Sequence, residues 1–172
     1  FMTAAATENE KVQIHDHYSE QAVLLGGQGI WYEEIDVPAP EDRPTRNFYG
    51  FSDDWLLYAC PQSVFKLHPR FDRALQKILE AHDNAHVMFV EGRNAKWTES
   101  VRYRLNTTMP HLKERIHFMP RVPGSMPFLK MISVSDVMLH PFPFGGSKTS
   151  SDALAMHIPL VVLKEEYLRG HM

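Results

Sequence analysis

Three short stretches of the chain hold residues with chemistry to offer. FPFGGSKTSSDAL (142 to 154) sets a Gly-Gly pair, a lysine and a run of hydroxyls just before an apolar stretch. CPQSVFK (60 to 66) contains Gln62, Ser63 and Lys66, and PRVPGS (120 to 125) contains Arg121 and Val122. A glycine turn that opens a helix offers free amides and the positive end of the helix dipole, and both attract phosphate where the backbone allows close approach. Gly145 and Gly146 allow it, and Thr149 with Asp152 three residues on resembles a capping box. A plain helix cap after a turn fits the same residues. Lys66 adds a compact positive charge and Arg121 a planar fork of donors. Asp152 is an acceptor suited to ribose hydroxyls or to the helix dipole itself. Singly, Lys66 and Arg121 read as solvated charges, and Phe142 and Phe144 as packing groups. Jointly, the set suits a diphosphate.

Several other chemistries are excluded by spacing. A triphosphate-binding P-loop needs Gly, four residues, then Gly-Lys-Ser/Thr; counting back from Lys148, those glycine positions hold Phe142 and Ser147. No GxGxxG follows the first apolar strand, and Gly26-Gly27-Gln28-Gly29 is not followed by a helix pattern, which counts against a dinucleotide oxidoreductase. No GxSxG elbow is present for an acyl hydrolase. Asp53-Asp54 and Glu165-Glu166 are adjacent pairs whose side chains point oppositely in a strand, a poor glycosidase dyad. Ten histidines include His15-Asp16-His17, but no second cluster with metal-ligand spacing accompanies it, so no metal is expected.

The elements that must position these loops follow from periodicity. Residues 1–20 read as a polar tail, loose or helical, and 21–53 as a connection and linker rich in proline and charge. From residue 54 to 172 short apolar runs alternate with helical spacing. Strands are predicted at 55–60, 86–92, 115–120, 136–142 and 159–164. Between them, helices are predicted around Phe71, Leu75, Ile78 and Leu79, at 98–105 with Thr98 as cap, at 125–133 with Pro127 in the first turn, and at 150–157. This alternation predicts an α/β fold, a Rossmann-like doubly wound parallel sheet. Ligands of such sheets bind at the carboxyl ends of the strands, so the three stretches are expected on one crest.

The chain has 172 residues, 44% of them hydrophobic, enough for one domain with a core. A net charge of −3 and a pI near 6.4 give no reason to expect nucleic acid or an anionic membrane as partner. No apolar run approaches the ~20 residues needed to span a bilayer. FMTAAATENEK has neither a basic start nor an apolar core for a secretory signal, and Cys60 is the single cysteine; a cytoplasmic location is expected. Phe1 ahead of Met2 and an end at RGHM predict a fragment.

The ordered series HYSEQAVLLGGQGIWYE, CPQSVFKLHPRFDRALQKILEAH, RIHFMPR, DVMLHPFPFGGSKTSSDALAMHIPLVVL and EEYLRG resembles one known family. It looks like the C-terminal catalytic lobe of bacterial O-linked N-acetylglucosamine transferase/SPINDLY-type glycosyltransferases (family 41), from about Tyr18 to the end. The resemblance implies the C-terminal half of a two-lobed GT-B fold, with the N-terminal lobe and upstream tetratricopeptide repeats outside this chain. It implies inverting transfer of N-acetylglucosamine from UDP-GlcNAc to Ser/Thr hydroxyls of a protein acceptor, with no cofactor and no required metal. Lys66 would hold the diphosphate and stabilise the leaving group. Gln62 would sit near the phosphates or sugar; some relatives place the glutamine one position closer to the lysine, where this chain has Ser63. Arg121 and Val122 would lie by the nucleobase, Gly145 to Thr149 (with Gly146, Ser147 and Lys148) at the phosphates, and Asp152 at the ribose.

Three positions depart from the family pattern: His140 replaces an aspartate, Ser147-Lys148 a Gly-Asn pair, and Lys164-Glu165 a Pro-Gly turn. The competing readings are a GDP-fucose-dependent protein O-fucosyltransferase, a noncatalytic nucleotide-sugar-binding module and, disfavoured by motif order, a sugar-nucleotide epimerase. Alone, the chain is expected to bind nucleotide weakly and not to transfer sugar.

Overall fold

The computed structural model describes residues 1–8, 14–16, 18–27 and 29–165. Gln28, His17, the side chain of His15 and residues 166–172 lie outside the described residues, and with them most of the histidine cluster, part of the glycine cluster and most of the final motif. Two strands, β1 (Met2–Ala4) and β2 (Val23–Leu25), form a small parallel pair. Five more form the main sheet: β3 (Leu56–Cys60), β4 (Ala85–Val90), β5 (Ile116–Met119), β6 (Val137–Leu139) and β7 (Leu160–Val161). The helices are α1 (Pro69–Ala81), α2 (Ala95–Thr108), α3 (Ser125–Ile132) and α4 (Lys148–Ala155).

All five strands of the main sheet run parallel, in the order β5-β4-β3-β6-β7. The chain lays down β3, β4 and β5 in one direction, then returns to place β6 and β7 on the other side of β3. This is the doubly wound arrangement that the alternating pattern predicts. Every residue of β4 is buried, as expected for a strand covered on both faces. On one face, Val87, Phe89 and Cys60 pack against Phe71, Leu75 and Leu79 of α1 and Val101 and Leu105 of α2. On the other, Leu57, Ala59 and Met88 meet Met131 and Phe51, while Leu129, Met138 and Ala153 join α3, β6 and α4.

The boundaries differ from expectation where proline or a missing partner intervenes. β6 stops at Leu139 because Pro141 has no amide to donate. β7 stops at Val161: its neighbour β6 has already ended, and the last rung is the His140 amide on the Val161 carbonyl at 3.0 Å. α2 begins at Ala95, capped by Asn94 Oδ1, which accepts the Lys96 amide at 3.0 Å. Thr98 is therefore not the cap; it is buried, and its hydroxyl accepts the Gly92 amide at 2.8 Å. The N-terminal residues, expected to be loose or helical, place Met2–Ala4 in β1, because the extended Val23–Leu25 segment supplies a partner in register.

Residues 46–55 are fastened to the sheet. Arg46 pairs with Asp136 at 2.6 Å and donates to the carbonyls of Val134, Asp53 and Trp55. Asp136 in turn accepts the Leu57 amide at 2.8 Å, locking this strap to the start of β3. No helix among the described residues is long and apolar enough to cross a membrane.

Candidate functional site

Strand order fixes where a crevice opens. The connections that leave β3 and β6 depart to opposite sides, and such a switch point leaves a gap at the carboxyl ends of the strands. The loop after β3 carries Pro61 to His68, with a 3-10 turn at Val64–Lys66, and the loop after β6 carries His140 to Ser147. A single antiparallel bridge, Leu67 to Pro143, ties the two loops together.

Between them lies a cleft of about 650 Å³. It is lined by Gln62, Ser63, Lys66, Arg121, Val122 and Ser147, and also by Lys148, Thr149 and Asp152. Nine of the eleven site residues expected from sequence thus share one wall-and-floor arrangement; Gly145 and Gly146 lie behind it. Four cations (Lys66, Arg93, Arg121, Lys148) face two carboxylates (Glu91, Asp152) around the cleft, although the chain as a whole carries −3. That local excess suits an anionic ligand.

Lys66 is held by three groups. Its Nζ donates to the Gly145 carbonyl at 2.9 Å and the Gln62 Oε1 at 3.3 Å, and lies 4.3 Å from the centroid of the Phe144 ring. Burial pulls its pKa below that of an ordinary lysine, against a smaller opposing effect of Cys60. An anion placed beside it would favour the charged form. Gln62 is buried, with its Nε2 donating to the Thr149 hydroxyl, so one side chain braces both Lys66 and the first turn of α4.

The glycine pair works differently from expectation. Gly146 does not turn its amide to a ligand; that N–H donates to His140 Nε2 at 2.6 Å. A Cβ on Gly145 would run into the buried His140 ring, and one on Gly146 into the Gln62 amide and the Thr149 hydroxyl. The glycines therefore admit side chains that build the site, rather than a ligand directly. The capping box is also absent. Ser147 is the N-cap without a side-chain cap bond, because its hydroxyl is engaged with Tyr32. Thr149 meets Gln62, and Asp152 holds Lys148. Left over are the amides of Lys148 and Thr149, which have no hydrogen-bond partner among the described residues.

On the far lip, Arg121 is exposed and unpaired among the described residues, while Val122 is half-buried against the core and fixes the backbone there. Gly124, with φ of 80°, turns this loop into α3 in a conformation that favours glycine. Sequence reasoning missed Tyr32, which reaches Ser147 across 115 residues of chain. It also missed Arg93 and Trp97, with Phe65 edge-on to Trp97 at 5.6 Å. Arg93 and Trp97 follow the end of β4, a strand end that the same carboxyl-edge rule selects.

The fold and cleft define a Rossmann-like α/β unit with its crevice at the carboxyl ends of a parallel sheet. Over 98% of the chain it superposes on 31% of an O-GlcNAc transferase from Thermobaculum terrenum, solved in a mutant form, with a TM-score of 0.71 and 21% identity. No protein-family model matches the chain. Among curated proteins it is 24% identical over 130 residues to the Arabidopsis thaliana "Probable UDP-N-acetylglucosamine--peptide N-acetylglucosaminyltransferase SPINDLY". It is 22% identical over 147 residues to the Solanum lycopersicum protein of the same description. These matches cover 74% and 84% of the chain, which spans only 14% and 15% of those relatives. Likeness in sequence and in fold together support a glycosyltransferase lobe of the O-GlcNAc transferase/SPINDLY type.

Proposed function

We propose that the chain is the donor-binding lobe of an inverting glycosyltransferase that moves N-acetylglucosamine from UDP-GlcNAc to Ser/Thr hydroxyls of proteins. The observation that carries this reading is Lys66: an ammonium fixed by Gln62, the Gly145 carbonyl and Phe144, beside the open first turn of α4. In the reaction, the acceptor oxygen forms a bond to C1 of the sugar as the C1–oxygen bond to the diphosphate breaks. The acceptor proton passes to a base, and the bonding pair leaves with the nucleoside diphosphate. Negative charge grows on the leaving phosphate, and a preorganised donor at that position is worth ~3 to 4 kcal/mol. Lys66 supplies the charge, and the amides of Lys148 and Thr149 supply neutral donors. Arg121 and the Val122 backbone take the base, and Asp152 the ribose. Acceptor positioning and the base come from a second lobe, so this chain binds donor without transferring sugar, in the cytoplasm.

Calorimetric titration with UDP, GDP and ADP, with Lys66→Ala alongside, tests this. UDP is expected to bind, and the variant to bind it about tenfold to a hundredfold more weakly, the value of one charge-assisted hydrogen bond. Preference for GDP would move the reading to a fucosyl donor. UDP binding that is indifferent to Lys66→Ala would refute the role given to this lysine.

A further inference from the structure

Lys148 opens α4, and Asp152 stands one turn later on the same helix. The lysine Nζ lies 2.6 Å from Asp152 Oδ1. The two side chains differ sharply in environment: that of Asp152 is 3% exposed and that of Lys148 is 53% exposed. Both line the cleft, and Lys148 is the sole cation paired with Asp152 among the described residues.

A carboxylate this deeply buried needs a partner, because an uncompensated charge out of water is costly. In the cleft it is also the acceptor placed to receive a hydroxyl pair, such as the diol of a ribose. The lysine holds Oδ1 of that acceptor. A ligand that takes both carboxylate oxygens, as a ribose diol does, must therefore send the ammonium elsewhere. Lys148 has the means to move: a flexible four-carbon stem, half of it in solvent. It also has somewhere to go, since the unbonded amides of Lys148 and Thr149 mark the place where a phosphate would sit.

We infer that Lys148 is a donor-reading switch that pairs with Asp152 in the empty cleft and moves onto the diphosphate when a nucleotide donor gives Asp152 a ribose. This rests on the nucleotide-sugar reading above. The switch couples two recognitions that would otherwise be independent. A nucleoside diphosphate receives the displaced ammonium, so the exchange is nearly balanced. A nucleoside without phosphate strips Asp152 of its cation and offers the lysine nothing. The cleft thereby rejects nucleosides more steeply than its phosphate contacts alone would do.

The test compares the nucleoside diphosphate that the chain prefers with its parent nucleoside, on the wild-type chain and on Lys148→Met. Diphosphate affinity is read by calorimetry and nucleoside affinity by ligand-observed NMR. The affinity ratio of diphosphate to nucleoside is expected to fall at least tenfold in the variant, with the nucleoside binding more tightly than to wild type; a fall with nucleoside affinity unchanged marks a static phosphate contact and overturns the switch. Should Lys148→Met not fold, the neutral pair Lys148→Met/Asp152→Asn removes the buried charge and is expected to show the same fall. An unchanged ratio in folded protein, or loss of nucleoside binding with diphosphate binding retained, overturns the switch and leaves the donor site standing. Absence of UDP, GDP and ADP binding in wild-type protein overturns the donor site and the switch together.

Discussion

Gly145→Ala puts a single methyl group into a crowded part of the loop that follows β6. The new Cβ would lie 2.6 Å from His140 Nδ1 and nearer still to Cε1, with the ring only 4% exposed. Non-bonded carbon contacts relax near ~3.5 Å, so ring or turn must shift by roughly 2 Å to clear Cε1. Forcing a methyl into a packed site costs about 1–3 kcal/mol. If the ring gives way, the 2.6 Å bond from the Gly146 amide goes with it, adding about 1 kcal/mol. Stiffening the unfolded chain by replacing glycine returns about 0.5 kcal/mol. The net expectation is about 1.5–3.5 kcal/mol, which lowers the melting temperature of a chain this size by about 3–14 °C. Circular dichroism melts measure it, and His140→Ala/Gly145→Ala supplies the control. Removing the ring vacates the space the methyl needs, so the double variant should be at least ~1 kcal/mol more stable than the sum of the single effects. Strict additivity, or an unshifted melt in Gly145→Ala, refutes the account of the turn as a socket for His140.

Two further outcomes follow from the titrating groups. Burial, then His117 and Arg115, push the His86 imidazole down to about 4, beneath a Trp55 ring stacked 3.6 Å away. The unfolded chain takes up this proton first, near pH 6.5, so the contribution is intact above that pH and lost as pH falls from about 6.5 to 4. The loss is on the order of 3 kcal/mol, and denaturant unfolding at pH 7.5 and pH 4.5 should show it, with His86→Phe giving a flatter profile. A wild-type stability that does not fall across this window would contradict the buried-histidine account. Cys60 is fully buried, and burial pushes its thiol up to about 12. It should resist a thiol reagent at pH 8 until the chain is unfolded, and prompt labelling of native protein would contradict the packing at the end of β3.

The sheet and its helices were legible because each strand is an apolar run and each helix carries its own spacing; α1 shows this with Phe71, Leu75 and Leu79 all buried. Little in the sequence warned of β1, whose three residues acquire strand geometry only from a partner 21 residues on. Most of the cleft was legible for a single reason: strand ends of a doubly wound sheet share one edge. The Lys148–Asp152 pair was not, because the helix was expected to begin at Ser150, which hides an i, i+4 relation. Phe142 and Phe144 look alike in sequence, yet Phe142 packs against Phe71 while Phe144 lies under Lys66. Tyr32 carries no local signal at all; its role exists only because a distant segment crosses the start of α4.

Arg46 has a mechanical meaning. With its guanidinium anchored to Asp136 and to three carbonyls, the strap leading into β3 is a bracket rather than a cord. Any pivot between this lobe and what precedes it must lie upstream of that bracket. The stretch upstream includes Tyr32, whose hydroxyl touches Ser147 at the lip of the cleft. Rotation about such a pivot would therefore pull on the loop that follows β6 before it disturbed the sheet, so that the posture of the upstream chain is felt first at the start of α4.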